Sequence, residues 1–166
     1  MQASNLKDLY IAALKKMHDG EKQIVNALPS MAQNATNSDL QSAFQDHRGE
    51  SETHQSRLEE ILQDLGEEAL SNENENEVVT ALVQQGESVI QSGADEHVRD
   101  AALIAAAQQV EHFEIASYGS LVNFAEALDR TEDVDRLKET LNEEKSANDK
   151  LNDIAKSDVN PKALKS

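Results

Sequence analysis

Apolar residues recur along most of this chain at steps of three, four and seven, the signature of α-helices with one buried face. From about Asn5 to Met31 the stripe is Leu6, Tyr10, Ala13, Met17, Ile24 and Leu28, with Ser4 or Asn5 placed to cap the start. From Ser38 to Leu65 it is Leu40, Phe44, Leu58, Ile61 and Leu65. Asn37-Ser38-Asp39 supplies the cap there, and Gly66 is a natural stop. Val78 to Ile90 predicts a short helix ended near Ser92-Gly93. From about Asp95 to Leu128 the stripe holds Val98, Ala101, Leu103, Ile104, Ala107, Tyr118, Leu121, Ala125 and Leu128. Its Ala-rich stretch from Ala101 to Ala107 favours helix and lets a neighbouring helix come close. From about Asp133 to Ala155 it holds Val134, Leu137, Leu141, Leu151 and Ile154. Between these runs, Asn72 to Glu77 reads as a solvated acidic loop, and residues 157–166, with Pro161, read as a loose tail.

Four long helices with a short one between the second and third predict an all-α fold. The expected architecture is a ferritin-like four-helix bundle with one long crossover containing the short extra helix. A length of 166 residues fits a single domain, taken as 1–166.

Every long stripe turns polar near its middle. Glu21 fills the step between Met17 and Ile24. The second helix passes through His47, Glu50 (or Ser51) and His54, and the third through Glu111 and Glu114. The fourth passes through Glu143 or Glu144, between which periodicity does not choose. A buried lone carboxylate costs several kcal/mol in its ionised form, so a group of them needs cationic partners. Basic residues at these depths are few, and Lys22 and Lys145, each next to a candidate Glu, read as solvated. A metal ion, or a pair, is the simplest partner. The plainer reading is a solvated helix face, or a polar core that only fixes helix register.

An offset of 93 positions (114 less 21, 143 less 50) pairs Glu21 with Glu114 and Glu50 with Glu143. It also pairs Leu28 with Leu121, Leu58 with Leu151 and Ile61 with Ile154. The repeat predicts two helix hairpins related by a pseudo-two-fold, each offering a carboxylate per helix to a shared centre. Di-iron bundles are built this way, with Glu from two helices and Glu-x-x-His from the other two. The match is incomplete, because Thr53 and Ser146 stand where that pattern asks for His. His47 and His54 flank Glu50 on one helix face instead. The expected site is therefore oxygen-rich with one or two nitrogen donors. Such a set suits iron or manganese and leaves zinc or calcium conceivable. His18 and His112 read as supporting or surface residues, and Tyr118 as core.

Composition narrows the functions. There is no Cys, which excludes disulfides, Cys-ligated zinc, iron–sulfur clusters and thiol catalysis. With 32 acidic and 15 basic side chains the formal charge is −17, unfavourable for a phosphate-binding surface, so no nucleic-acid partner is expected. The acidic excess outside the site is expected on the surface, notably at Glu67-Glu68, Glu73 to Glu77 and Glu132 to Asp135. No long apolar run predicts a membrane span, and the first residues carry no basic-then-apolar leader. A cytoplasmic address follows as the expectation.

The chain resembles the YciF/YciE family of bacterial stress proteins, the DUF892 group. The resemblance rests on Leu-Tyr at 9–10, Gly-Glu-Lys-Gln at 20–23, Ala-Leu-Pro at 27–29 and Ala-Phe-x-x-His at 43–47. It rests above all on the block Val-Arg-Asp-Ala-Ala-Leu-Ile-Ala-Ala-Ala-Gln-Gln-Val-Glu-His-Phe-Glu-Ile-Ala-Ser-Tyr-Gly at 98–119, and on Glu-Thr-Leu-x-Glu-Glu-Lys at 139–145. It implies a homodimeric, stress-induced, ferritin-like protein with a rubrerythrin-like di-metal site. Asn148, where the family usually has Asp, and the stretch 68–97 depart from it. The candidate metal ligands are Glu21, His47, Glu50, His54, Glu111, Glu114, Glu143 and Glu144. If iron binds there, ferroxidase or peroxidase chemistry with O2 or H2O2 is the expectation. The alternative is a non-catalytic metal-binding or structural bundle acting through partner contacts.

Overall fold

The computed structural model describes residues 3–69 and 75–166. It contains helices α1 (Leu6–Asn34), α2 (Ser38–Asp64), α3 (Glu77–Gln91), α4 (Glu96–Ala127) and α5 (Thr131–Ile154). A single wide π turn, Ala155–Val159, and a last short helix α6, Asn160–Ala163, follow. The ends differ from the periodicity-based ones by at most three residues. Most starts are set by side-chain caps, of which those at Asn5 and Asn37 are legible in the sequence. Asn5, Asn37 and Asp95 accept backbone amides of Asp8, Leu40 and His97 at 2.9, 2.9 and 3.0 Å. Gly66, at φ 76°, closes α2 with the paired bonds of a Schellman motif, Gly66 N–H to Gln63 O and Glu67 N–H to Leu62 O, each 2.9 Å. Asp129 takes the same left-handed conformation after α4, at φ 57°, without the freedom of glycine.

Short links after α1 and α4 force two antiparallel hairpins, α1 with α2 and α4 with α5. The hairpins stack so that α1 also meets α4 and α2 meets α5. The crossover helix α3 lies against α1 and α4. This is the four-helix bundle with one long crossover. No helix among the described residues is long and apolar enough to cross a membrane.

Tertiary polar contacts fix the hairpin geometry. Asp100 of α4 is buried and accepts the backbone amides of Thr36 and Asn37, both at 2.8 Å, so one carboxylate holds the turn between α1 and α2. Asn76 is buried rather than solvated. It caps α3 while its side-chain amide donates to the Lys16 carbonyl and its backbone N–H to Asp19. The acidic loop expected from Asn72 otherwise lies outside the described residues up to Asn74, and Glu77 already belongs to α3. Asp133, expected on the surface, is buried beneath Arg130 and accepts the Tyr10 hydroxyl at 3.0 Å. The supposed loose tail is helical as far as Ala163. Val159 packs into the core, and Asp158 accepts from Asn37 Nδ2 at 2.6 Å.

The apolar core comes in two halves. One gathers Ile24, Leu28, Leu40, Phe44, Val79, Leu103 and Leu151. The other gathers Tyr10, Leu14, Met17, Leu58, Ile61, Tyr118, Leu121 and Leu137. Between them every long helix contributes a buried polar residue, and that layer is the candidate site.

Candidate metal centre

Helical stepping decides which side chains reach this layer. In α1 the buried line runs Met17, Glu21, Ile24, Leu28, and in α4 it runs Ala107, Glu111, Glu114, Tyr118. In α2 Leu40, Phe44, Ser51, Leu58 and Leu62 step by four and seven, so the line passes through Ser51, flanked by His47 and His54. Glu50 stands one residue off that line. Its side chain is 46% exposed, and its nearest tie to the layer is His47 Nδ1 at 3.4 Å. In α5 the sevens Leu137, Glu144, Leu151 put Glu144 at the centre, fully buried, and leave Glu143 at the rim, 33% exposed. The structure thus brings together Glu21, His47, His54, Glu111, Glu114 and Glu144, and leaves Glu50 and Glu143 outside. The repeat survives with a different reading. Its offset of 93 aligns buried Glu21 with buried Glu114, and buried Ser51 with buried Glu144, so the two hairpins are not chemically equivalent.

Two overlapping sets of donor atoms each lie within 4.8 Å of one another: His47, Glu111, Glu114 and Glu144, and Glu21, His54 and Glu144. Glu144 belongs to both. His47 Nε2 lies 3.3 Å from Glu111 and 3.9 Å from Glu144. His54 Nδ1 lies 2.9 Å from Glu144 and 3.4 Å from Glu21, close enough for attraction but out of line for a hydrogen bond.

The surroundings position these groups. The His54 Nε2 edge meets Glu143 at 2.9 Å, and Arg57 in turn clamps Glu143 and reaches Thr140 at 3.1 Å. A carboxylate on Nε2 holds the proton there and turns the Nδ1 lone pair inward, the usual support of a metal-bound histidine. The Tyr118 hydroxyl donates to Glu21 at 2.5 Å, and its ring meets His54 edge-on at 6.2 Å between centroids. His18 is buried but faces Glu59, at 2.8 Å, rather than the cluster, while His112 is exposed. Lys22 and Lys145 are exposed. Sequence reasoning did not single out Arg57 or Thr140. Their helical spacing, one turn from His54 and Glu144, was the available signal.

The electrostatics without a cation are strained. Burial and the neighbouring Glu144 and Glu21 push Glu114 well above the carboxylate range, and burial pushes Glu111 to about 8. Burial favours a neutral ring at both histidines. The carboxylates Glu111, Glu144 and Glu21 outweigh it, raising His47 to about 9 and His54 to about 10. At the rim, burial is outweighed by Arg57 and His54, which hold Glu143 below its ordinary value. Among the described residues, every buried side-chain nitrogen or oxygen without a hydrogen-bond partner belongs to this layer. They are atoms of Glu21, His47, Ser51, His54, Glu111, Glu114 and Glu144, including both oxygens of Glu114 and of Glu144. Buried polar atoms elsewhere in proteins are rarely left unpaired, so such a concentration calls for a partner beyond the chain's own side chains, a cation or ordered water. The donor set, four carboxylates and two imidazoles, could hold a metal.

The family model described as a domain of unknown function, DUF892, matches residues 5–164. The chain belongs to DUF892. Protein YciF of Escherichia coli strain K12 is 39% identical over 164 residues, covering 98% of this chain and 98% of its own. The crystal structure of the E. coli stress protein YciF superimposes with a TM-score of 0.90 at 36% identity, covering 95% of this chain and 99% of that one. YcfI from Rhodopseudomonas palustris superimposes with a TM-score of 0.85 at 37% identity, covering 90% and 94%. The mid-bundle polar layer of this DUF892 member is thus carried by a bundle shared nearly end to end with YciF.

Proposed function

We propose that this protein holds a pair of transition-metal ions, iron in the first instance, and uses them to handle iron together with O2 or H2O2. The observation that carries this reading is the confinement, among the described residues, of the unpartnered buried side-chain nitrogens and oxygens to one layer reached by four helices. Charge supports it as well. With neutral imidazoles and ionised Glu21, Glu111, Glu114 and Glu144, the layer carries four negative charges, which two divalent cations balance. Glu144, common to both donor sets, would be able to serve either position. His47, Glu111 and Glu114 would complete one position, and Glu21 and His54 the other. Bound iron supplies electron transfer to oxygen or peroxide, and carboxylate ligands favour its oxidised state. The chain's own part is to bring the donors together, to hold the inward face of His54 through Glu143 and Arg57, and to keep Tyr118 on Glu21.

Metal analysis of the native protein, with anomalous scattering at the iron and manganese edges, tests the site. Two ions per chain in the mid-bundle layer are expected, with oxygen-dependent oxidation of added Fe(II) faster than that of free iron. Metal bound without such oxidation would favour a non-catalytic binding role. No metal at any occupancy would leave a purely structural polar core.

A further inference from the structure

Beside the candidate centre lies a cavity of about 70 Å³, walled mainly by apolar side chains from all five long and crossover helices. Ile24, Leu28, Phe44 and Val83 form its sides, and His47 and Glu111 stand at its inner end. Small residues keep it open, notably Ala106 and Ala107 on α4 and the buried Gly86 on α3. A Cβ added at Gly86 would meet only Met31, at 3.9 Å, so the space there is free. The other polar lining residues, Asp46, Glu50, Ser146 and Lys150, are all exposed on α2 and α5. They form a mouth to solvent crossed by the Lys150–Asp46 ion pair at 2.8 Å.

We infer that this cavity is where dioxygen waits beside the centre, and that its entry runs past the Lys150–Asp46 pair to His47 and Glu111. The inference rests on the metal reading above and adds the identity and path of the oxidant. Size and polarity select the occupant. The space admits a molecule of a few atoms. A charged species would lose its hydration against walls that return almost nothing. Apolar cavities stay dry and take up apolar gases such as xenon. Hydrogen peroxide needs hydrogen bonds at both ends, and the cavity offers them only at its inner end, from His47 and Glu111, with none along its apolar sides. Two of the unpartnered atoms, His47 Nε2 and Glu111 Oε2, belong to the residues at the inner end, so the cavity abuts one of the donor sets. Two ferrous ions held there would supply the two electrons, and solvent the two protons, that take dioxygen to hydrogen peroxide; the chain's own part is to bring dioxygen to His47 and Glu111. The crossover helix α3 thereby gains a role, because its Leu82, Val83 and Gly86 wall a space that the four main helices leave open.

Crystals of the native full chain under xenon pressure should show xenon in the cavity, with or without metal. Gly86→Leu and Ala107→Val, which fill it from two different helices, should each lose that xenon. Both should also slow Fe(II) oxidation by O2 several-fold at unchanged iron stoichiometry, while oxidation by added H2O2 keeps its rate. Two variants guard against one that fails to fold. Native crystals that take up iron but no xenon, or a variant that loses xenon and keeps its O2 rate, would overturn the inference alone. Equal slowing with H2O2 would overturn the choice of dioxygen. A native protein that takes up no iron overturns the metal reading beneath it, and the dioxygen role with it.

Discussion

Glu143 and Glu144 are neighbours in sequence and differ completely in circumstance. One residue along a helix is a turn of about 100°, enough to move a carboxylate from the layer between two cores to its rim. The different placements predict different phenotypes. Glu144→Gln takes the negative charge and one of two ligand oxygens from the residue common to both sets, and the expected result is loss of the paired site, read as metal stoichiometry falling to one or none. Glu143→Gln leaves both sets intact and only loosens the His54 ring, for which roughly a 10- to 100-fold loss of metal affinity is typical. Isothermal titration with Mn(II) under anaerobic conditions separates the two. Equal effects would mean that Glu143 swings inward on binding. The sequence held part of this answer. Leu137 and Leu151 are seven residues to either side of Glu144, and that heptad step was there to read. At Glu50 the corresponding clue was weaker. Glu50 and Ser51 both fit the stripe in the sequence, and the structure buries the serine and leaves the carboxylate exposed.

At the scale of elements, the legible features were those written locally. Helix extents, the caps at Asn5 and Asn37 and the Gly66 stop depend on residues within one turn of each other, and the structure agrees with them. What the chain did not disclose were contacts between distant elements. Asp100 reaches backbone amides 64 and 63 residues earlier, Asp133 meets a tyrosine 123 residues earlier, and Asn76 closes on Lys16 and Asp19. None of these leaves a periodic mark. The α1–α3 contact offers a direct test at Gly20. Helix propensity alone says that Gly20→Ala should stabilise α1 by up to about 1 kcal/mol. The structure says otherwise. A Cβ there would lie 3.0 Å from Asn76 Nδ2 and 3.2 Å from Val79 Cγ2. Asn76 cannot yield easily, because its backbone N–H, its side-chain oxygen and its side-chain amide are all engaged. The expected outcome is a net loss of about 1–2 kcal/mol by denaturant unfolding, the overpacking penalty exceeding the propensity gain. A gain would mean that the start of α3 is free to shift.

The whole molecule has a formal charge of −17, and the buried layer gives part of that acidic excess a thermodynamic consequence. In the metal-free protein Glu111 sits at about 8 and Glu114 well above its ordinary value, while His47 and His54 sit at about 9 and about 10. All four are raised relative to an unfolded chain, so the folded state binds protons more tightly. Each contribution is complete below the unfolded value, near 4.5 for Glu and 6.5 for His, and is lost as pH rises through the folded one. The melting temperature of chelator-treated protein should therefore fall steadily from about pH 5 to pH 9. A metal ion takes the place of those protons, since its ligands must be deprotonated, so its affinity should rise over the same interval. The gap in melting temperature between metal-loaded and metal-free protein should widen with pH, and loading at pH 7 should release protons into the buffer. Calorimetric titration in two buffers of different ionisation enthalpy reads that release. Glu111→Gln supplies the control, because removing one raised carboxyl should flatten the metal-free melting curve against pH without altering the helix content. A metal-free protein whose stability rises from pH 5 to pH 9 would mean that the layer ionises freely and is hydrated. Its unpartnered oxygens would then be explained by water instead of by a cation.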